Sequence, residues 1–507
     1  LSAAVKSFRL LLTGLSLVAL ARADVTLAPL FSDHAVLQRD RPLPVWGRAD
    51  AGEHVTVTFK GQSVGATADA DGRWIIYLAA VPTSAEPAEL VVTGKNTVTL
   101  TDLLVGEVWL ASGQSNMEWP VSKTLNAANE IAAANFPLLR HIKIEHTVAN
   151  EPAETVKTSG WQAATPATVG DFTAVGYYFA RDLQRKLGVP VGLINSTWGG
   201  TAVESWMSSA ALRGTAAFPA VDARWQKDLA EFPGRLVNYP LELVVWTKAE
   251  EQAKAKKIRN PQPHPRPPVG PGTPYVPTGL FNAMIAPLQP VALRGIIWYQ
   301  GESNWPRPEE YAELFPTMIR SWRAGWGQGE LPFYFVQLAN YGIVDDPTHR
   351  AWARLREAQT AALRLNATDM ATAIDIGEPK DIHPRNKQEL GRRLALIAKA
   401  QIYGIGGDFS GPMLERVTQE GAALRVYFSH AATGLIAYDK PVQSLELAGA
   451  DRRFYPATAR IEHGTLLVSA PAVKEPVAVR YAWSNAPVAN LYNGAGLPAP
   501  PFRSDTW

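Results

Sequence analysis

Two hydrophobic periods divide this chain. From about Val25 to Leu104, apolar and polar residues alternate in short runs broken by turn signals. Val55-Thr56-Val57-Thr58-Phe59 reads as one strand, and Trp74-Ile75-Ile76-Tyr77-Leu78 as another, entered through the Asp71-Gly72 turn. Leu90-Val91-Val92 and Thr97-Val98-Thr99-Leu100 continue the series. Short strands at this spacing predict a β-sandwich-type domain over residues 24–104.

From residue 105 the grammar changes to strand alternating with helix. An apolar run through Val108-Trp109-Leu110-Ala111 reads as a buried strand. Phe172, Val175, Phe179, Leu183 and Leu187 lie at helical spacing, and Gly188 and Pro190 end that helix before the strand Val191-Gly192-Leu193-Ile194-Asn195. Further strands are expected at 295–299, 333–338 and 370–374, and helices at 309–322, 352–365 and 388–403. The alternation predicts an α/β domain over 105–410, its mostly parallel sheet covered on both faces. An insertion at about 208–277 interrupts it, with a charged helical stretch from Lys248 to Lys257 and a proline-rich one from Pro261 to Pro277. Such an insertion either covers an active site or decorates the surface. From residue 411 to 507 strands return without helices, at 424–428, around Ile461, at 466–469 and at 477–481, predicting a second small β domain.

Composition narrows the function. The 507 residues fit about three domains at roughly 150 residues each. A net charge of +2 gives no electrostatic case for nucleic acid or a membrane surface. Lys6 and Arg9 precede an apolar run from Leu10 to Leu20, and Ala21-Arg22-Ala23 precedes Asp24. That order predicts a signal peptide over 1–23, too short to span a bilayer, and a periplasmic or secreted product with no membrane attachment after cleavage. The chain has no cysteine, which excludes disulfides and thiolate metal sites. With no His-Glu-x-x-His and no tight carboxylate-histidine cluster, no metal is expected. Nothing in the sequence speaks to oligomeric state.

Candidate chemistry sits where strands end. Ser115, in Gly113-Gln114-Ser115-Asn116-Met117, follows the buried strand, at the carboxyl end where an open α/β sheet binds its ligands. It is either a nucleophile or a helix cap, and it lacks the second glycine of a Gly-x-Ser-x-Gly elbow. A serine nucleophile needs a base, and the base an orienting group. Asp381-Ile382-His383-Pro384, on a loop after another strand, offers both. Oxyanion donors are expected from the Ser115 N–H, from the glycines of Trp198-Gly199-Gly200-Thr201, and from the side-chain amide of Gln300 in Tyr299-Gln300-Gly301-Glu302-Ser303-Asn304. Trp119, Trp198, Trp298 and Trp305 lie beside these blocks, either to stack on a sugar ring or to pack the core.

Together these four blocks, in this order, resemble those of the sialate O-acetylesterases, within the SGNH hydrolase superfamily, and the resemblance runs from about Val25 to the end. It implies an SGNH-like three-layer sandwich with flanking β-sandwich-type domains, and a serine esterase removing acetyl groups from sialic acids or related sugars without metal or cofactor. In it Ser115 matches the nucleophile, His383 the base and Asp381 the acid, with Gly199 or Gly200 and Gln300 as oxyanion donors. Two departures stand out: the superfamily's acid usually lies three residues before the histidine, and its third-block donor is usually asparagine. Glu302 and Glu378 therefore remain alternatives to Asp381 for orienting His383. The implied reaction passes through an acetyl-enzyme. The rival readings are an acetylxylan or other plant-polysaccharide acetyl esterase and a non-catalytic carbohydrate-binding protein.

Overall fold

Fully buried apolar runs form the centre of the fold. The computed structural model describes residues 24–258, 260–342 and 345–507, so the expected signal peptide lies outside the described residues. The strands are β1 (Thr97–Gly113), β2 (Phe136–Lys143), β3 (Gln162–Ala164), β4 (Val191–Thr197), β5 (Gly295–Tyr299), β6 (Phe333–Gln337) and β7 (Thr368–Thr372). They run in the order β3-β2-β4-β1-β5-β6-β7 within an 11-stranded sheet. β3 is antiparallel to β2, and the other neighbours on this path are parallel. Every residue of β4, β5 and β6 is buried, which is why each carries a run of apolar residues without alternation.

Helices α1 (Ser115–Glu118), α2 (Ala174–Leu187), α3 (Phe218–Ala255), α4 (Pro308–Trp326), α5 (Ala351–Thr360) and α6 (Lys387–Gln401) surround this sheet or extend from it. The register sets Gly295 beside Trp109 and Trp298 beside Ser112, so the two tryptophans point to opposite faces. Trp109 meets Phe179 of α2 edge-on at 4.8 Å, and Trp298 meets Trp322 of α4 edge-on at 5.6 Å. Both faces of the sheet are thus covered. α2 ends as the sequence predicts, on Gly188 in the left-handed conformation.

Three features differ from the sequence reading. The expected border at 104/105 falls inside β1, whose first half pairs with Ser84–Thr93 and Val36–Gln38 and whose second half lies between β4 and β5. One buried core accordingly runs through both regions, while the carboxyl-terminal strands, in two four-stranded sheets and a two-stranded one, carry a core of their own. β2 was not expected, because Pro137, Arg140 and His141 break its apolar run. The insertion holds a helix of 38 residues rather than a short one, α3, with Pro233 and Pro240 inside it.

Candidate active site

β1 delivers Ser115 to the carboxyl edge of the sheet. At its end Gly113 has φ 133°, and a Cβ there would lie 2.2 Å from the Tyr299 carbonyl oxygen of β5. Only glycine allows the chain to turn so close to its neighbour. Gly113→Ala is expected to destabilise the protein by about 2–4 kcal/mol, read by denaturant titration, because strain and clash fall on the same residue. Past that turn, the Gln114 N–H donates to the same carbonyl, and its side-chain Oε1 accepts the N–H groups of Gly301 and Ser303.

Ser115 opens α1, and its Oγ lies 2.9 Å from Nε2 of His383, on the loop between β7 and α6. The Trp119 ring stacks on the imidazole at 4.6 Å. Asp381 accepts the backbone N–H of His383 at 2.9 Å, and its carboxylate oxygen stands 3.7 Å from Nδ1. Burial, aided by Lys387 and Lys123, holds the imidazole below its ordinary value, while Asp381 pulls the other way. A histidine kept neutral beside a serine hydroxyl is arranged to accept its proton.

Several expected residues are placed elsewhere. The Gln300 side-chain amide does not face this site: it is fully buried, donating to the Thr201 carbonyl and to Asn304 Oδ1 while its own Oε1 accepts from Tyr311. Glu302 does not orient His383 either, because it is buried and accepts from Asn116 at 2.5 Å. Glu378 accepts from Arg385. Trp298 is fully buried in the core and offers no face to a sugar. Trp305 is partly buried against that core, and Trp198 stacks on His146 at 4.2 Å.

The glycine loop does approach Ser115. A Cβ on Gly199 would stand 3.1 Å from the Ser115 Cβ, and Gly200 has φ 78°. The Gly199 N–H donates to Glu118 Oε2 at 2.8 Å, and His146 Nε2 lies 2.9 Å from the same carboxylate. Burial opposes the charge on Glu118, but His146, Lys143 and this N–H hold its carboxyl below the ordinary range. The end of the insertion reaches the loop too: the Tyr275 hydroxyl lies 3.7 Å from where a Gly200 Cβ would be. Glu118, His146, Asn116 and Lys387 escaped the sequence reading. For Asn116 and Glu118 the signal was there, one and three residues after Ser115 on the same helical turn; His146 and Lys387 had none.

Residues 105–260 and 273–399 match the family of sialic acid-specific acetylesterases, a carbohydrate esterase family. The chain belongs to this family. It is 30% identical to the sialate O-acetylesterase of Rattus norvegicus over 94% of each chain, and 27% identical to that of Homo sapiens over 94% of this chain and 91% of the human one. Among solved structures, a carbohydrate acetylesterase from Xanthomonas citri is similar with a TM-score of 0.81 and 39% identity, over 96% of this chain and 100% of that one. As a member of the sialic acid-specific acetylesterase family, the chain is an ester hydrolase with a mixed α/β fold. Among the described residues, no helix is long and apolar enough to cross a membrane, and no group of histidine and carboxylate side chains is arranged to hold a metal ion.

Proposed function

We propose that this esterase removes acetyl groups from O-acetylated sialic acids or related sugars, with Ser115 as nucleophile and His383 as general base. The observation that carries the reading is the 2.9 Å contact between Ser115 Oγ and His383 Nε2. Ser115 attacks the acetyl carbonyl as Nε2 takes its proton, and the tetrahedral oxyanion is held by the N–H groups of Ser115 and Gly200, since that of Gly199 already donates to Glu118. His383 returns the proton to the departing sugar oxygen, leaving an acetyl-enzyme. Water, activated by the same imidazole, then releases acetate. Trp119, stacked on His383, forms the apolar wall against which a sugar ring packs.

Asp381 is the acid partner in this scheme, and it is held loosely. Its side chain is 53% exposed and still 3.7 Å from Nδ1, so it contributes less than a buried triad acid. Asp381→Asn, which keeps the acceptor for the His383 N–H, is expected to lower kcat by about tenfold to a hundredfold in steady-state assays. In outline, we assign an SGNH-type three-layer unit from the second half of β1 to about residue 410 with β units on either side, and residues 1–23 to an export signal. The substrate is tested by comparing acetate release from O-acetylated sialic acid and from acetylated xylo-oligosaccharides. Faster release from sialic acid supports the reading, and preference for the xylo-oligosaccharide moves the substrate to plant polysaccharide. Failure to hydrolyse a simple aryl acetate overturns the esterase site itself.

A further inference from the structure

Behind Ser115 lies a buried polar cluster that the proposed reaction does not use. Asn116 is 1% exposed, and its Nδ2 donates to the Ile382 carbonyl at 2.9 Å and to Glu302 Oε1 at 2.5 Å. Its Oδ1 accepts from Lys387 Nζ. One amide therefore ties α1 to the turn after β5, to the residue preceding His383, and to the first residue of α6. The orientation is unique, because a flipped amide would set its oxygen against a carbonyl and a carboxylate and its N–H₂ against an ammonium.

We propose that Asn116 and Lys387 are positioning residues for His383: Asn116 pins the histidine loop onto the nucleophile turn, and Lys387 sets a buried positive charge beside the imidazole. The proposal rests on the reading of His383 as the general base. Lys387 is fully buried, and among the described residues the only hydrogen-bond acceptor recorded for its ammonium is Asn116. Otherwise it faces the rings of Tyr299 at 5.2 Å and Trp119 at 6.0 Å, and Trp119 is the ring stacked on His383. Glu302 and Tyr299 are buried there as well, so little solvent reaches the charge to screen it. Burying an ammonium on one acceptor costs stability that an apolar side chain of the same length would not, so packing alone does not explain a lysine here.

The charge acts in a defined direction. The groups facing Lys387 are Glu302, Asp381 and Glu378, and those facing His383 are Lys387, Lys123 and Asp381. A cation next to His383 disfavours the imidazolium and keeps the base ready at lower pH. Burial draws Lys387 itself down to about 7, against the pull of the three carboxylates. The ammonium charge is therefore fullest toward acid pH, the side on which His383 takes up a proton.

The test uses the full chain, an aryl acetate as substrate, and the variants Lys387→Met, Lys387→Gln and Asn116→Leu. Both lysine variants are expected to move the acid limb of kcat/KM up by about half a pH unit or more. Lys387→Gln keeps a donor for Asn116 and serves if the methionine variant does not fold. Asn116→Leu is expected to lower kcat at least about tenfold with KM little changed, the split that a displaced histidine loop gives. In a Ser115→Ala background, the His383 titration followed by NMR should shift upward with Lys387→Gln, a readout that needs no turnover. An acid limb and a titration that stay at their wild-type positions overturn the role of Lys387, and wild-type kcat in Asn116→Leu overturns that of Asn116. Full activity in Ser115→Ala would instead overturn the catalytic reading beneath both.

Discussion

Ser115→Ala is expected to lower acetate release by about 10⁴-fold or more, while the melting temperature stays within about 4 °C of wild type. The loss is large because the hydroxyl is the only group of the scheme that forms a covalent bond to the acetyl carbon. A factor of 10⁴ corresponds to about 5.5 kcal/mol of barrier. The fold is spared because the partner recorded for this half-buried hydroxyl is His383, a contact outside the apolar core. Acetate quantified over time for both proteins at matched concentration, beside their thermal denaturation, decides the matter. Retained activity in a folded variant would remove Ser115 from the mechanism.

His383→Gln is the second large effect, again about 10⁴-fold in kcat, since serine and base act as one unit and the loss of either disables both. Glutamine is close in size and can still bond to Ser115, but it cannot take a proton near neutral pH. Wild-type pH dependence follows from the same imidazole. The active form is neutral, so kcat/KM rises with pH through the His383 titration and then levels off. Because burial and Lys387 hold that titration below the ordinary histidine value of about 6.5, the midpoint of the acid limb is expected below 6.5. Should the rise be centred above 6.5, the environment assigned to His383 would be wrong.

Much of the architecture is legible in local patterns. β4, β5 and β6 appear as apolar runs because both sides of each are buried, and α2 appears through its apolar stripe and its closing Gly188. β2 was hidden because Arg140 and His141, polar in sequence, are buried by distant partners. Arg140 donates to the Asp102 carbonyl, and His141 stacks on Phe172, with burial pushing its titration down to about 3. α3 is longer than its sequence suggests, since Pro233 and Pro240 remove hydrogen bonds from a helix interior and normally break it.

The site divides along the same line. By itself the sequence determined which residue types stand at the strand ends: a glycine able to turn under β5, a serine just beyond it, a glycine pair after β4 and a histidine after β7. Those follow from periodicity and from backbone conformations only glycine tolerates, which are local properties. Tertiary structure alone decided which side chains face the reaction. Gln300 turns inward because Thr201 and Asn304 claim its amide, and Trp298 because α4 packs over it. Glu118 meets the Gly199 N–H, and Lys387 comes to face Trp119, the ring stacked on His383, through an asparagine 271 residues away. A side chain's direction on a loop is fixed by whichever distant partner satisfies its polar atoms, and that partner is chosen only when the chain is folded.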